Sequence, residues 1–300
     1  SAAGTCRIRR WCRGTSAESC MYLPLNSSAP VIDILRGIIV QSGNDASKAI
    51  AEHMAGTESA FAEVMNKEAA RVGMKNTHFV NATGLPDPAH KASARDLAVL
   101  ARAIIHDSSE YYPIYAEKEF KFNNIKQGNR NALLYTDPTV DGLKTGHTGE
   151  AGYCLTASAK RNGMRLISVV MGAKSMQARA DQTRALFNWG FSSFEQAKPQ
   201  AGGVAVAKPA VRFGKVDVVD VGLAEDLNVI IPKGQAKNLQ TTTQLNEDIT
   251  APIAKGAVLG KLVVSLGGQT VAEQPLLAME PVEEAGFFKR LWQRILGWFK

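Results

Sequence analysis

Asn162-Gly163 stands between two apolar-alternating runs, Tyr153–Ala159 and Met164–Met171, and no other feature restricts the fold of this chain more. An Asn-Gly pair takes the positive-φ positions of a tight hairpin turn at little cost, so the runs predict two antiparallel strands. Val140-Asp141-Gly142-Leu143-Lys144-Thr145-Gly146, just before them, reads as a further strand. The flanks are helical. Val31, Ile34, Leu35, Ile38 and Ile39 recur at helical spacing up to Val40, and a break at Gln41-Ser42-Gly43-Asn44 precedes a second helix from Asp45 to about His53. A third amphipathic segment covers Ser59–Val72, Ser93-Ala94-Arg95-Asp96 is a capping signature for a helix through Ile104, and Ser175–Phe194 closes the unit.

Beyond Pro199 the composition shifts to Gly, Val and Ala, with alternating runs such as Val216–Val221 and Val258–Leu266 broken by Gly and Pro. This predicts a small all-β domain over 200–280. With 45% apolar residues in 300, the chain is long enough for two modest cores. Residues 1–30 stand apart: Arg7, Arg9, Arg10 and Arg13 precede any acid, and no period is visible, so the segment reads as foreign or misread. Cys6, Cys12 and Cys20 crowd this stretch while Cys154 stands alone, too few for a disulfide framework, and four free thiols are expected. Their spacing, with no nearby histidine, matches no structural zinc pattern, and His53, His78, His90 and His106 lack ligand spacing. No metal or organic cofactor is implied. The formal charge of +7 suits an anionic partner, whether nucleic acid, acidic lipid or an anionic wall polymer, but no nucleic-acid-binding motif is present. No run of eighteen apolar residues occurs, and the chain starts with neither Met nor an apolar leader, so its natural start is expected upstream of residue 1.

Two short elements carry chemistry. Ser42-Gly43-Asn44 lies in the break between helices, and Lys144-Thr145-Gly146 lies at the end of a strand leading into the hairpin. Taken singly, Ser42 and Asn44 are equally well read as helix caps, Lys144 and Thr145 as solvated edge-strand residues, and Arg179 as a surface charge. Their order and separation, with the flanks Leu35-Arg36-Gly37-Ile38, Lys75-Asn76-Thr77-His78-Phe79 and Val140 to Thr148, resemble the low-molecular-weight D-alanyl-D-alanine carboxypeptidases among the penicillin-binding proteins. The resemblance runs over about residues 31–300.

It implies an α+β fold. A partial β-lactamase/transpeptidase-like domain with an antiparallel sheet and helices would span 31–199, followed by the all-β domain of 200–280 and an amphipathic helix in 281–300. It also implies serine acyl-enzyme removal of the terminal D-alanine from peptidoglycan pentapeptides, with β-lactams as further ligands. In that layout Ser42 relays a proton to the leaving D-alanine and Asn44 bonds the substrate amide. Lys144 supplies positive potential, Thr145 binds the terminal carboxylate beside Gly146, the backbone N–H of His147 forms half of the oxyanion hole, and Arg179 steers the carboxylate.

The family's nucleophile motif, Ser-x-x-Lys, is absent: no serine here has lysine three positions later. The motif is expected upstream of residue 1, with a truncation or frame change as the simplest account. The chain as it stands is then expected to be inactive. Its first domain is expected to be poorly stable, with apolar surface left at Ile34, Ile38, Val169 and Val170. A non-catalytic, membrane-tethered peptidoglycan-binding protein is the alternative, while a β-lactamase would not ordinarily carry the extra domain and tail.

Residues 286–300 place Phe287, Phe288, Leu291, Trp292, Ile295 and Phe299 on one helical face, with Lys289, Arg290, Gln293, Arg294 and Lys300 largely opposite. Fifteen residues are too short to span a bilayer, so an in-plane anchor on an anionic membrane surface is expected. The resemblance places it on the periplasmic side of the inner membrane.

Overall fold

The computed structural model describes residues 4–8 and 19–297, which divide into two units, Ser1–Phe191 and Ser192–Lys300. In the first, β1 (Thr5–Arg7) pairs antiparallel with β2 (Ser28–Pro30). Helices α1 (Val31–Gln41), α2 (Asn44–Ala55), α3 (Glu58–Val72) and α4 (Ala94–Asp107) follow. A small hairpin, β3 (Glu119–Phe122) with β4 (Ile125–Gly128), leads through the single turn α5 (Leu133–Thr136) to the main sheet. That sheet runs β5 (Val140–Thr148), β6 (Gly152–Arg161), β7 (Met164–Ala173), all antiparallel, and α6 (Met176–Ser193) closes the unit.

Local signals set most of these boundaries. Ser93 Oγ accepts from Asp96 N–H at 3.1 Å and Thr57 Oγ1 from Ala60 N–H at 3.1 Å, each satisfying a first-turn donor that the helix itself leaves free. Asn162 and Gly163 take φ of 50° and 84°, the turn that their sequence predicts between β6 and β7.

Described residues before Val31, without period in the sequence, are part of the core. Cys6, Ile8, Met21 and Leu23 are 0% exposed and cluster with Ile34, Ala46, Ala49 and Ile50. Gly37 is required here, because a Cβ on it would sit 2.2 Å from Met21 Sδ. Asp45 anchors the segment: its buried carboxylate accepts from Met21 N–H at 2.8 Å, Leu23 N–H at 3.0 Å and Ala46 N–H at 3.0 Å. Two expectations are thereby corrected. Ile34 is fully buried rather than left bare, since Met21 and Leu23 share its cluster. Cys20 is disulfide-bonded, while Cys6 and Cys154 are free thiols.

The second unit is built from β8 (Phe194–Gln200), β9 (Ala205–Ala207), β10 (Val221–Gly222), β11 (Leu227–Pro232), β12 (Leu239–Leu245), β13 (Val258–Leu266) and β14 (Gln269–Ala278), with α7 (Phe287–Gly297) at its end. Five strands form a sheet in the order β12-β13-β14-β10-β9, and β8 pairs with β11. Leu227, Val229 and Ile231 are buried while Asn228, Ile230 and Pro232 are exposed, the period of two that a one-sided strand requires. They meet Leu262, Val264, Leu276 and Ala278 in one core. Of the run 216–221, only Val221 enters a strand.

Candidate active site

Helix α1 ends because Ser42 turns left-handed (φ 60°, ψ 39°), with its N–H closing onto Ile38 O at 3.1 Å. Ser42 is thus a helix cap, as one of its two sequence readings had it. The turn also presents its hydroxyl to β5, where Lys144 Nζ donates a hydrogen bond to Ser42 Oγ and another to Thr145 O at 2.8 Å. The sheet and α1 therefore join two side chains 102 residues apart.

Lys144 is not a solvated edge residue. Burial pushes its pKa down to about 8, and the nearby positive charges of Arg130 and Arg179 push the same way. No carboxylate lies among those causes, so the ammonium faces repulsion without a compensating anion. A buried cation in that condition favours either an anionic ligand or loss of its proton.

Arg179 is not a surface charge either. It is 4% exposed, and its guanidinium donates to Gly146 O at 3.3 Å, Cys154 O at 3.4 Å and Arg130 O at 3.2 Å. It also lies over the Tyr153 ring, 5.7 Å from the centroid. Burial holds its pKa below the usual arginine value. From α6 it ties β5, β6 and the segment before α5 together behind the Lys144-Thr145-Gly146 stretch.

Thr145 is 9% exposed and lines an apolar cavity of about 520 Å3 beside Lys144, Gly146 and Cys154. Ile38, Met65, Leu100, Ile104, Leu143 and Val170 form much of its wall. Ile38 and Val170, expected to be left bare, face this cavity, and Val170 is buried. His147 is exposed with its ring 4.0 Å from that of Tyr153, its register partner on β6. Asn44 opens α2, where its backbone N–H donates to Ser19 O at 2.8 Å; its side chain is half-buried and makes no hydrogen bond to Lys144.

Three groups went unread in the sequence. Arg130, exposed on the segment between β4 and α5, is the second positive neighbour of Lys144. Asn131 beside it donates from Nδ2 to Gly142 O at 3.2 Å, fixing that segment against β5. Asp141 accepts from Tyr112 Oη at 2.8 Å and from Arg165 at 2.9 Å, and Arg165 also reaches Ser158 Oγ at 2.6 Å, so a polar network braces β5 next to the site. The run Asn129-Arg130-Asn131, a cation between two side chains able to bond backbone, was the one available signal for the first two.

A family model described as D-alanyl-D-alanine carboxypeptidase matches residues 7–175. The chain belongs to that family. A second model, the C-terminal domain of penicillin-binding protein 5, matches residues 194–284. D-alanyl-D-alanine carboxypeptidase DacA of Haemophilus influenzae is 45% identical over 286 residues, 94% of this chain and 72% of that protein. DacC of Escherichia coli is 43% identical over 95% of this chain and 73% of its own length. Among solved structures, penicillin-binding protein 5 from Haemophilus influenzae superposes with a TM-score of 0.83 at 42% identity, covering 94% of this chain and 84% of that one. Penicillin-binding protein D2 from Listeria monocytogenes, solved in a cefotaxime-bound form, gives 0.57 at 28% identity over 64% of this chain and 78% of that one. The family is one of serine hydrolases acting as D-alanyl-D-alanine carboxypeptidases, tied to peptidoglycan. The match begins at residue 7, inside the segment whose Ile8, Met21 and Leu23 complete the first core.

Proposed function

We propose that this chain carries the carboxylate-recognition and leaving-group half of a D-alanyl-D-alanine carboxypeptidase site and, with no Ser-x-x-Lys in its 300 residues, binds the peptide terminus without cleaving it. The observation that carries this reading is Lys144, a half-buried cation repelled by Arg130 and Arg179 with no acid among the described residues to offset them, placed beside Thr145. A D-alanine carboxylate supplies the missing anion. Lys144 neutralises it, the Thr145 hydroxyl donates to it, and Arg179 keeps Gly146 and the hairpin in place. Ser42, bonded to Lys144, stands where a departing amine would collect a proton, while Asn44 and the His147 N–H complete the peptide contacts. Acyl transfer still needs a nucleophile, and stabilising charge alone does not start the displacement.

Two measurements test this. Incubation with penicillin is expected to leave the intact mass unchanged, and a covalent adduct would refute the missing-nucleophile argument. Calorimetric titration with a D-Ala-D-Ala peptide is expected to show binding without turnover. The affinity should fall by about tenfold per pH unit above about 8, as Lys144 loses its charge. Affinity independent of pH would remove Lys144 from the contact.

The chain is further read as periplasmic and held at the inner membrane through α7. Lys289 pairs with Asp217 at 2.8 Å, Arg290 with Glu284 at 2.7 Å, and Gln293 Oε1 accepts from Phe213 N–H at 2.6 Å. With its polar face docked on its own unit, α7 turns its aromatics outward: Phe288 is 84% and Trp292 63% exposed. Phe287 and Leu291 are exposed beside them, while the side chains of Ile295, Phe299 and Lys300 lie outside the described residues. That outward face fits an interface-lying helix, with Lys289 and Arg290 paired to acids of their own unit and Arg294 lying over the Phe213 ring. Removing 286–300 is expected to release the protein from anionic liposomes; retained binding would refute the anchor.

A further inference from the structure

Serine hydroxyls are poor nucleophiles until a neighbouring base takes their proton, and a lysine does this only when its amine is neutral and in contact. The contact exists at one point of this chain, and burial there brings the neutral amine within reach of mildly alkaline pH. Lys144 Nζ is hydrogen-bonded to Ser42 Oγ across the α1–β5 junction, and Lys144 itself lines a cavity of about 520 Å3 walled by Ile38, Leu100, Ile104, Leu143 and Val170. The cavity lining holds no carboxylate. We propose that Ser42 and Lys144 act as a serine–lysine dyad that takes acyl groups from neutral, activated esters with a short apolar acyl chain, the chain seated in this cavity.

The steps balance without a further reactant. Neutral Lys144 Nζ accepts the Ser42 hydroxyl proton as Oγ bonds to the ester carbonyl carbon. The ammonium then returns that proton to the leaving oxygen as its bond to the carbonyl carbon breaks, leaving acyl-Ser42. Water repeats the sequence, releasing the carboxylic acid and restoring the serine.

Neutral esters are the substrate class because a ligand carboxylate on Lys144 holds the amine protonated and silences it as a base. Peptide recognition and this chemistry therefore use opposite protonation states of one lysine. For the same reason penicillin, which carries a carboxylate, is not a donor. Burial sets the balance first, and the charges of Arg130 and Arg179 add to it, all favouring the neutral amine. Tyr115 and Cys154 also line the cavity.

The test uses the full chain and p-nitrophenyl butyrate, with no peptide present, so its outcome is separate from that of the recognition reading. Release of p-nitrophenolate is followed at pH 7 and pH 9, and the protein is then digested and mapped by mass spectrometry. The expected result is one butyryl group per chain on Ser42, formed about tenfold faster at pH 9 as the neutral amine becomes dominant. Ser42→Ala is expected to lose the adduct, and Lys144→Met to lose the rise with pH while Ser42 is still present. Far-UV circular dichroism shows whether either variant has unfolded, and the wild-type pH profile stands independently of both. An adduct on Cys154 or on Lys144 itself, an undiminished burst in Ser42→Ala, or no adduct on Ser42 at pH 9 overturns the proposal.

Discussion

Replacing Lys144 by Met is expected to make the first unit more stable near neutral pH while abolishing peptide binding. The fall in the lysine pKa from 10.5 to about 8 corresponds, at about 1.4 kcal/mol per pH unit, to a penalty of about 3 kcal/mol on the charged form in the folded state. Lys144 is half-buried over its whole side chain, so water screens part of this, and the figure is an upper one. Methionine keeps the aliphatic stem but forfeits the bonds to Ser42 Oγ and Thr145 O, worth about 1 kcal/mol each. The net gain expected at pH 7 is about 1 kcal/mol, or about 2–4 °C in Tm for a unit of this size. The pH dependence is more diagnostic than the size. Lysine has its lower pKa in the folded state, so the penalty is fully present below about 8 and is relieved as pH rises toward 10.5. By pH 9.5 the wild type should have recovered about 2 kcal/mol, and the variant's advantage should have vanished or reversed. Thermal unfolding of both proteins by circular dichroism at pH 7 and pH 9.5 decides the matter. A variant that is less stable at pH 7, or a Tm difference that does not change with pH, refutes the claim that this cation is held against its solvation.

Asp45→Ala strips three N–H groups, those of Met21, Leu23 and Ala46, of their buried acceptor and is expected to cost about 3–5 kcal/mol, read as a lower urea midpoint. Amide exchange should accelerate first at Met21 and Leu23, and a loss below about 1 kcal/mol would show that the segment is held by apolar packing alone. Arg179→Lys keeps the charge but cannot fork to three carbonyls, so about 2 kcal/mol of stability and about tenfold in peptide affinity are expected to go. An unchanged Tm would mean that the carbonyls find other donors. Ser93→Ala removes one helix cap and should cost only about 1 kcal/mol in thermal unfolding, a calibration for the larger effects.

Features that depend on a few adjacent residues were legible. Asn162-Gly163 specified its hairpin because few other pairs accept two positive φ angles, and Ser93 specified a helix start because a hydroxyl there satisfies a free N–H. The family's Ser42 and Lys144 elements were legible as a pattern, and the family they indicated is the one to which the chain belongs. Other features had no local mark. The segment before Val31 shows no period because its buried residues, Cys6, Ile8, Met21 and Leu23, face a core supplied by α1 and α2 rather than lying along one regular element. Asp45 looked like an ordinary acid in a first helical turn, a placement the helix dipole alone accounts for, yet it holds a distant segment.

The sequence by itself therefore determined the main helices and the central hairpin of the first unit, a β-rich second part, and the family, because each rests on spacing or on residues close in the chain. Only the tertiary structure decided that Lys144 is a poorly compensated cation touching Ser42, that Arg179 is a buried clamp rather than a surface charge, and that an apolar cavity adjoins them. Burial and electrostatic potential are sums over neighbours that the fold brings from α1, β5, β6, α6 and the Arg130 segment, and no local stretch of sequence contains them.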